Sequence, residues 1–297
     1  MGQTAKPFVK WAGGKSRLVH EIDARLPQDM AAREDVVYVE PFVGGGAVLF
    51  WILQKYPNIA RAVINDINPD LITAYEVVKH TPERLVSVLR VLQREYCGLT
   101  DGARREFFME QRERFNRGDK TTLDTAALLI FLNKTCFNGL YRVNSRGQFN
   151  VPHGRYANPK ICDEDTIMAD SELLQRVEIT CGDFADSVRY AGAETIYYFD
   201  PPYKPLSKTS SFTSYSTESF GDDEHLRLRD FCCEVSRRGS RFVLSNSDLK
   251  VTDAGNEFFD DIYRPFNIGR VLASRFVNAD GAGRGRLSEL LVSNNMN

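Results

Sequence analysis

The chain has 297 residues, 42% hydrophobic and 26% charged, with a formal net charge of −2; this is an ordinary globular profile, long enough for one large α/β domain or for a main domain carrying a smaller insert. No stretch approaches the ~20 consecutive apolar residues of a membrane span, and the opening MGQTAKPFVKWAGGK lacks an apolar signal core, so a cytoplasmic protein with no membrane partner is expected. The six cysteines and four histidines show neither a C-x-x-C pair nor ligand spacing, so no metal site is expected.

From the N-terminus, the first motif is Gly13-Gly14-Lys15-Ser16, which ends like a phosphate-cradling P-loop. The first glycine of that pattern would have to stand at Val9, and no strand precedes it. Nucleoside triphosphate binding is therefore not expected. Apolar, β-branched or aromatic runs then occur at 36–40, 61–66, 177–181, 195–200 and 241–246, as strands buried on both faces should read. Helical patterns lie among them at 46–54, 69–79 and 222–237. This alternation predicts an α/β fold with a doubly wound, mainly parallel sheet. The rhythm fails between about 81 and 165, where helical patterns at 82–96, 104–117 and 123–137 succeed one another without a strand. Residues 81–164 are expected to form an inserted, mostly helical domain within a larger one made of 1–80 and 165–297.

The small net charge hides a local bias. Residues 125–162 contain no Asp or Glu, yet carry Lys134, Arg142, Arg146, Arg155 and Lys160. A solvated face would normally mix both signs. Such a stripe is the footprint of a phosphate-binding surface, so the insert is expected to contact nucleic acid.

Glu40-Pro41-Phe42-Val43-Gly44-Gly45-Gly46 closes the first strand and opens a helix. The glycines let backbone approach a ligand closely, and the helix start offers free N–H groups. A dinucleotide fingerprint would need a third glycine at Leu49. Phe-x-Gly-x-Gly after an acidic strand end instead matches S-adenosyl-L-methionine sites. Asp66, ending the second strand, is placed to accept both ribose hydroxyls.

The fourth strand ends in Asp200-Pro201-Pro202-Tyr203, at the carboxyl edge where α/β sheets hold ligands. An exocyclic aromatic amine is a poor nucleophile because its lone pair is delocalised into the ring. The Asp200 carboxylate and Pro201 carbonyl can hold both amine protons, drawing the nitrogen towards tetrahedral geometry. Proline fixes φ and removes a competing N–H, while Tyr203 offers a face for stacking a base. A base paired in a duplex would have to flip out to reach this pocket. The Ser- and Thr-rich stretch 204–220 that follows is expected to close over the flipped base through Phe212 or Tyr215.

Together these motifs resemble the Dam-type, D12-class DNA adenine N6-methyltransferases of the α group, over nearly the whole chain. The opening Phe8-Val9-Lys10-Trp11-Ala12-Gly13-Gly14-Lys15 matches the family, as do the glycine turn and Asp-Pro-Pro-Tyr. The resemblance implies a class I methyltransferase fold and a cofactor site lined by Trp11, Lys15, Glu40, Phe42, Gly44, Gly46, Asp66, Asp183, Phe184 and Asp200, with Asp183 meeting the cofactor's adenine amine. Within the insert, segments 133–142 and 144–156 are similar to the family's DNA-recognition hairpin, which reads GATC in the major groove. That similarity implies that Lys10 reads the first guanine, that Leu140, Arg142 and Pro152 read later base pairs, and that Asn138 touches phosphate. Lys134, Arg155 and Tyr156 complete the expected DNA surface. Phe137 stands where the family has a tyrosine that wedges beside the flipped base, and His153 replaces an apolar residue. Double-stranded DNA is the expected partner, with no obligate protein partner implied. The rival expectations are an RNA adenine N6-methyltransferase, which would lack the groove-reading hairpin, and a catalytically inactive DNA-binding regulator.

Overall fold

The computed structural model describes residues 4–204, 220–274 and 286–294. Phe212 and Tyr215, expected to close over the substrate, lie outside the described residues. After a short helix α1 (Val19–Asp23), strand β1 (Val36–Glu40) leads through the glycine turn into α2 (Ala47–Lys55), and β2 (Ile59–Asp66) leads into α3 (Pro69–His80). The strand-free block follows as α4 (Pro82–Gly98), α5 (Asp101–Asn116) and α6 (Thr122–Thr135). The chain then forms α7 (Glu164–Leu174), β3 (Val177–Cys181), β4 (Thr195–Phe199), α8 (Asp222–Arg237), β5 (Arg241–Ser247) and α9 (Phe258–Ile262). It closes with β6 (Asn267–Ser274) and β7 (Arg286–Ser293).

The described strands form one seven-stranded sheet in the order β3-β2-β1-β4-β5-β7-β6. Strands β1 to β5 run parallel to one another, and β7 runs antiparallel to both β5 and β6. This is the doubly wound, mainly parallel sheet expected. Neither α7 nor the β6–β7 pair was anticipated. The chain moves outward from β1 to β2 and β3, then returns to β4 and β5 on the other side. The carboxyl ends of β1 and β4 therefore flank a topological switch point, where a ligand crevice opens.

Local sequence accounts for the elements that frame it. Asn68 caps α3 by accepting from the N–H groups of Asp70 and Leu71 at 3.0 and 3.2 Å, with Pro69 at the first helical position. Thr121 and Asp124 form a reciprocal capping box at the start of α6. Residues 125–132 of α6 are all buried, as a helix apolar on every face requires. It packs against α3, α4 and α5, and one apolar cluster runs from β1 through α3 into α6. The strand-free block is thus built onto the main core.

An irregular arm precedes α1, and side chains hold its backbone at three places. Gln54 pairs with both N–H and C=O of Ala5 at 3.1 and 3.0 Å. Asp170 accepts from Lys6 N–H at 3.0 Å, and Asn133 pairs with both N–H and C=O of Lys10 at 2.7 and 2.8 Å. Phe8 is buried edge-on against Tyr75 of α3, with centroids 5.0 Å apart.

Asp170 is fully buried, its Oδ2 has no partner among the described residues, and burial pushes its carboxyl up to about 8. The unfolded chain gives up this proton near pH 4, whereas the folded chain keeps it to about pH 8. Its contribution is therefore complete below pH 4 and is lost progressively as the pH rises to about 8. Asp170→Asn, which keeps the acceptor for Lys6, should melt with the wild type at pH 4 and at least ~2 °C above it at pH 8.5. Scanning calorimetry at both pH values checks this.

Candidate active site and nucleic-acid interface

The carboxylate that ends β4 is the focus of the crevice. Asp200 Oδ1 lies 2.9 Å from Lys15 Nζ and accepts from Ser245 Oγ at 2.9 Å, and Ser245 Oγ is 3.0 Å from Tyr198 OH. Among the described residues no hydrogen bond reaches Oδ2. Burial raises the Asp200 carboxyl above its ordinary value, and Lys15 and Ser245 oppose that rise. Lys15 is only 4% exposed. It arrives from the arm through Gly13, whose φ of +82° favours glycine, and it donates to the Gly13 carbonyl. Its ammonium also stands 4.3 Å from the Tyr203 ring centroid, while Tyr203 OH donates to Glu289 Oε2 of β7 at 2.6 Å. Pro201 is buried and Pro202 exposed.

The glycine turn lies beside this carboxylate. Gly44 (φ +47°) and Gly46 (φ +74°) are left-handed, and a Cβ would meet Trp11 Cδ1 at 2.8 Å in the first case and Tyr75 OH at 2.5 Å in the second. Only glycine fits there. Trp11 stacks on Tyr141 with centroids 5.3 Å apart, so the arm is sandwiched between the turn and the insert. Asp66 Oδ2 accepts from Gly44 N–H and Oδ1 from Asn68 N–H, both at 3.0 Å. Each oxygen keeps a lone pair. Next to it Ile67 is 62% exposed, an apolar flank beside a carboxylate. That pairing suits a nucleoside, with a diol on the acid and a base on the hydrocarbon. Phe42 and Phe184 lie 5.3 Å apart at the neighbouring strand ends.

Two residues expected in the cofactor site also have partners within the protein. Glu40 is 2% exposed and accepts from Tyr38 OH at 2.6 Å, and burial holds its carboxyl well above the usual range. It sits beneath the turn. Asp183 caps the next segment by accepting from Ala185 N–H at 2.8 Å and pairs with Arg227. Burial raises its carboxyl, but Arg227 and that N–H outweigh the burial and hold it below the ordinary value. Ser245, Tyr198, Glu289 and Ile67 were not anticipated. Strand parity could have found Tyr198, which shares a sheet face with Asp200.

Of the expected DNA residues, Lys10, Lys134 and Tyr156 line one groove, and the others lie on or beside the 136–156 hairpin. Backbone bridges join Cys136 to His153 and Val143 to Phe149, forming a hairpin whose tip turns at Gly147. Asn116 of α5 pairs with both N–H and C=O of Phe149 at 2.8 and 3.1 Å, bracing one side of it. Tyr96 of α4 braces its root, with its OH 2.7 Å from His153 Nε2 and donating to Tyr156 C=O at 2.9 Å. Phe137 is 52% exposed. Asn138 (φ +56°) and Arg155 (φ +58°) are left-handed although neither is glycine, a strain that rigid neighbours must sustain. Arg142 donates twice to Asn150, from Nε to Oδ1 at 2.7 Å and from Nη2 to the backbone C=O at 3.5 Å. Leu140 is half-buried and Pro152 exposed. Lys10, Lys134, Tyr156 and Lys160 line a groove of about 400 Å³, in which burial lowers the Lys134 ammonium.

Residues 11–275 match the model of the D12 class of N6 adenine-specific DNA methyltransferases. The chain belongs to that family: it is a site-specific, adenine-specific DNA methyltransferase with a class I methyltransferase fold, and it acts with a methyl donor. It is 47% identical over 292 residues to the type II methyltransferase M.MjaIII of Methanocaldococcus jannaschii, covering 97% of this chain and 99% of that one. It is 38% identical to the type II methyltransferase M1.LlaDCHI of Lactococcus lactis, with coverage of 97% and 95%. It is 33% identical to the DNA adenine methylase of Escherichia coli K12, with coverage of 97% and 94%. Membership sets aside the RNA-modifying and catalytically silent alternatives. No helix among the described residues is long and apolar enough to cross a membrane.

Lys15 opposes the upward pull of burial on Asp200. Removing the cation should therefore raise the pH at which Asp200 ionises. Lys15→Met is expected to move the acidic limb of the methylation rate profile upward by about one pH unit. Single-turnover rates from pH 5 to 9 at saturating methyl donor, ~5–9 being the range where such limbs fall, would show this. An unmoved limb would separate Lys15 from Asp200.

Proposed function

We propose that the protein transfers a methyl group from S-adenosyl-L-methionine to N6 of adenine within double-stranded GATC, by flipping the base and by direct in-line attack. The observation that carries this reading is Asp200, a carboxylate at the switch point with Oδ1 taken by Lys15 and Ser245 and Oδ2 open. Oδ2 and the Pro201 carbonyl accept the two amine protons, and Tyr203, steadied by Glu289, stacks against the base. The bound cofactor supplies an electrophilic methyl group on positively charged sulfur. Methylation obliges the nitrogen to shed a proton, and Asp200, whose burial raises its proton affinity, is the acceptor in contact. Asp66 and Ile67 hold the cofactor's ribose and adenine, flanked by Trp11, Phe42, Gly44, Gly46 and Phe184. Asp183 reaches the adenine amine through its remaining lone pairs.

Exposed Phe137 supports the flipping step by filling the gap the adenine leaves. Lys10, Leu140, Arg142 and Pro152 read base edges, while Asn138, Lys134, Arg155 and Tyr156 meet phosphate. Residues 81–164 act as the recognition domain and the remainder as the catalytic one. The reaction needs no protein partner and no membrane, and it takes place in the cytoplasm on nucleoid DNA.

Asp200→Ala should abolish methyl transfer while DNA and cofactor affinities stay within about tenfold, because its hydrogen bond matters most in the transition state. Protection of incubated DNA from a nuclease blocked by GATC adenine methylation reports the activity, and wild-type turnover would remove the mechanism. Arg142→Ala should cost about 1–3 kcal/mol on cognate DNA and relax preference at one base pair only. Rates on GATC and each single-base variant distinguish this from phosphate anchoring, which would weaken every sequence alike.

A further inference from the structure

Asn133, at the last turn of α6, is 2% exposed and makes three hydrogen bonds with its side-chain amide. Oδ1 accepts from Lys10 N–H at 2.7 Å. One Nδ2 proton goes to Lys10 C=O at 2.8 Å and the other to Gly139 C=O at 2.9 Å. The amide therefore pairs with the Lys10 peptide as a neighbouring strand would, and it spends its remaining donor on the root of the hairpin. Both protons are used. Gly139 completes the joint from the far side: at φ +64°, a Cβ there would fall 2.5 Å from Lys10 Cδ and 2.9 Å from Lys10 Cβ. The stem of Lys10 thus lies against the bare backbone of Gly139, one residue from Asn138 and Leu140.

We propose that Asn133 is a specificity-determining positioning residue, which fixes the Lys10 arm and the recognition hairpin in a single register so that the base pairs they read are selected together. The inference rests on the reading of Lys10 and the hairpin as DNA contacts. Asparagine is required by the partners, since two carbonyls need donors and one N–H needs an acceptor. Aspartate has the same shape but would face both carbonyls with oxygen and satisfy only the N–H.

The test compares methylation rates on the cognate site and on every single-base-pair variant for the wild type, Lys10→Ala, Asn133→Asp and the double variant. Lys10→Ala should relax discrimination at one base pair by about tenfold. Asn133→Asp should relax that same pair and at least one pair read by the hairpin, mainly through KM. In the double variant, Asn133→Asp should add nothing further at the Lys10 pair, as expected for residues that act as one unit. Asn133→Ser replaces the aspartate variant where that one fails to accumulate. Gly139→Ala, which displaces the Lys10 stem with Asn133 intact, should reproduce the same relaxation. Equal loss on all sites with unchanged discrimination ratios would show a merely structural role and overturn the inference. A Lys10→Ala variant without positional effect would remove the Lys10 contact itself, and the coupling with it. A positional effect in Lys10→Ala that is missing from the Asn133 variants would overturn the coupling alone.

Discussion

The ion pair between Lys15 and Asp200 is the constraint around which the rest of the molecule is arranged. A carboxylate sunk at the end of a central strand is costly to keep ionised, and a buried lysine is equally costly alone. Together they satisfy each other, and removing either leaves the other stranded at a cost of about 3–5 kcal/mol. The lysine comes from no neighbouring strand. It is delivered by an irregular arm that must lie across the carboxyl ends of β1 and β4, so the arm needs anchors. Gln54, Asp170 and Asn133 hold its backbone at Ala5, Lys6 and Lys10. Trp11 packs where Gly44 and Gly45 have no side chains to obstruct it.

The same edge of the sheet gathers three acids, Glu40, Asp66 and Asp200, and burial raises all three carboxyls. What each does depends on its hydrogen-bond partners. Glu40 faces Tyr38 and supports the strand end from below. Asp66 ties the glycine turn to the start of α3 through two backbone N–H groups, which oppose the effect of burial. Asp200 has a cation on one oxygen and, among the described residues, no hydrogen bond on the other. One feature of the sheet, carboxylates at strand ends, thus yields a support, a tie between turn and helix and, in the proposed mechanism, a proton acceptor.

Strands β1, β4 and β5 were legible because burial on both faces makes them short apolar runs, and β2 and the half-buried edge strand β3 through their β-branched residues. The strand-free block was legible as a break in that alternation. Strands β6 and β7 escaped because NIGRVLAS and RLSELLVS mix charge with apolar residues and carry neither signal clearly. Helix α7 was hidden by its position at the expected domain boundary. In the site, Asp200 and the glycine turn could be read because each is a local motif tied to a strand end. The partner of Glu40 was legible only from strand parity. Alternation along β1 puts it on the same face as Tyr38, and that pairing turns it inward. Ser245, Glu289, Ile67 and the Tyr96–His153 bond depend on register and packing between distant segments, which no single stretch of sequence announces.

The arm also sets how far recognition and chemistry can be separated. Lys10 and Lys15 are five residues apart, and a fully extended span of that length reaches at most ~18 Å. One end is held by Asn133 at the root of the hairpin and the other by Asp200 in the crevice. Between them only Gly13 and Gly14 lack side chains, and Gly13 is already committed to a left-handed turn by which Lys15 reaches its partner. A shift of Lys10 towards a mismatched base therefore has little slack to absorb it before Trp11 leaves the glycine turn or Lys15 leaves the carboxylate. With Lys10 and Asp200 in their proposed roles, an arm so short and so fully bonded at both ends makes the geometry of the carboxylate depend on the geometry of the DNA contact, through covalent chain rather than through a distant relay.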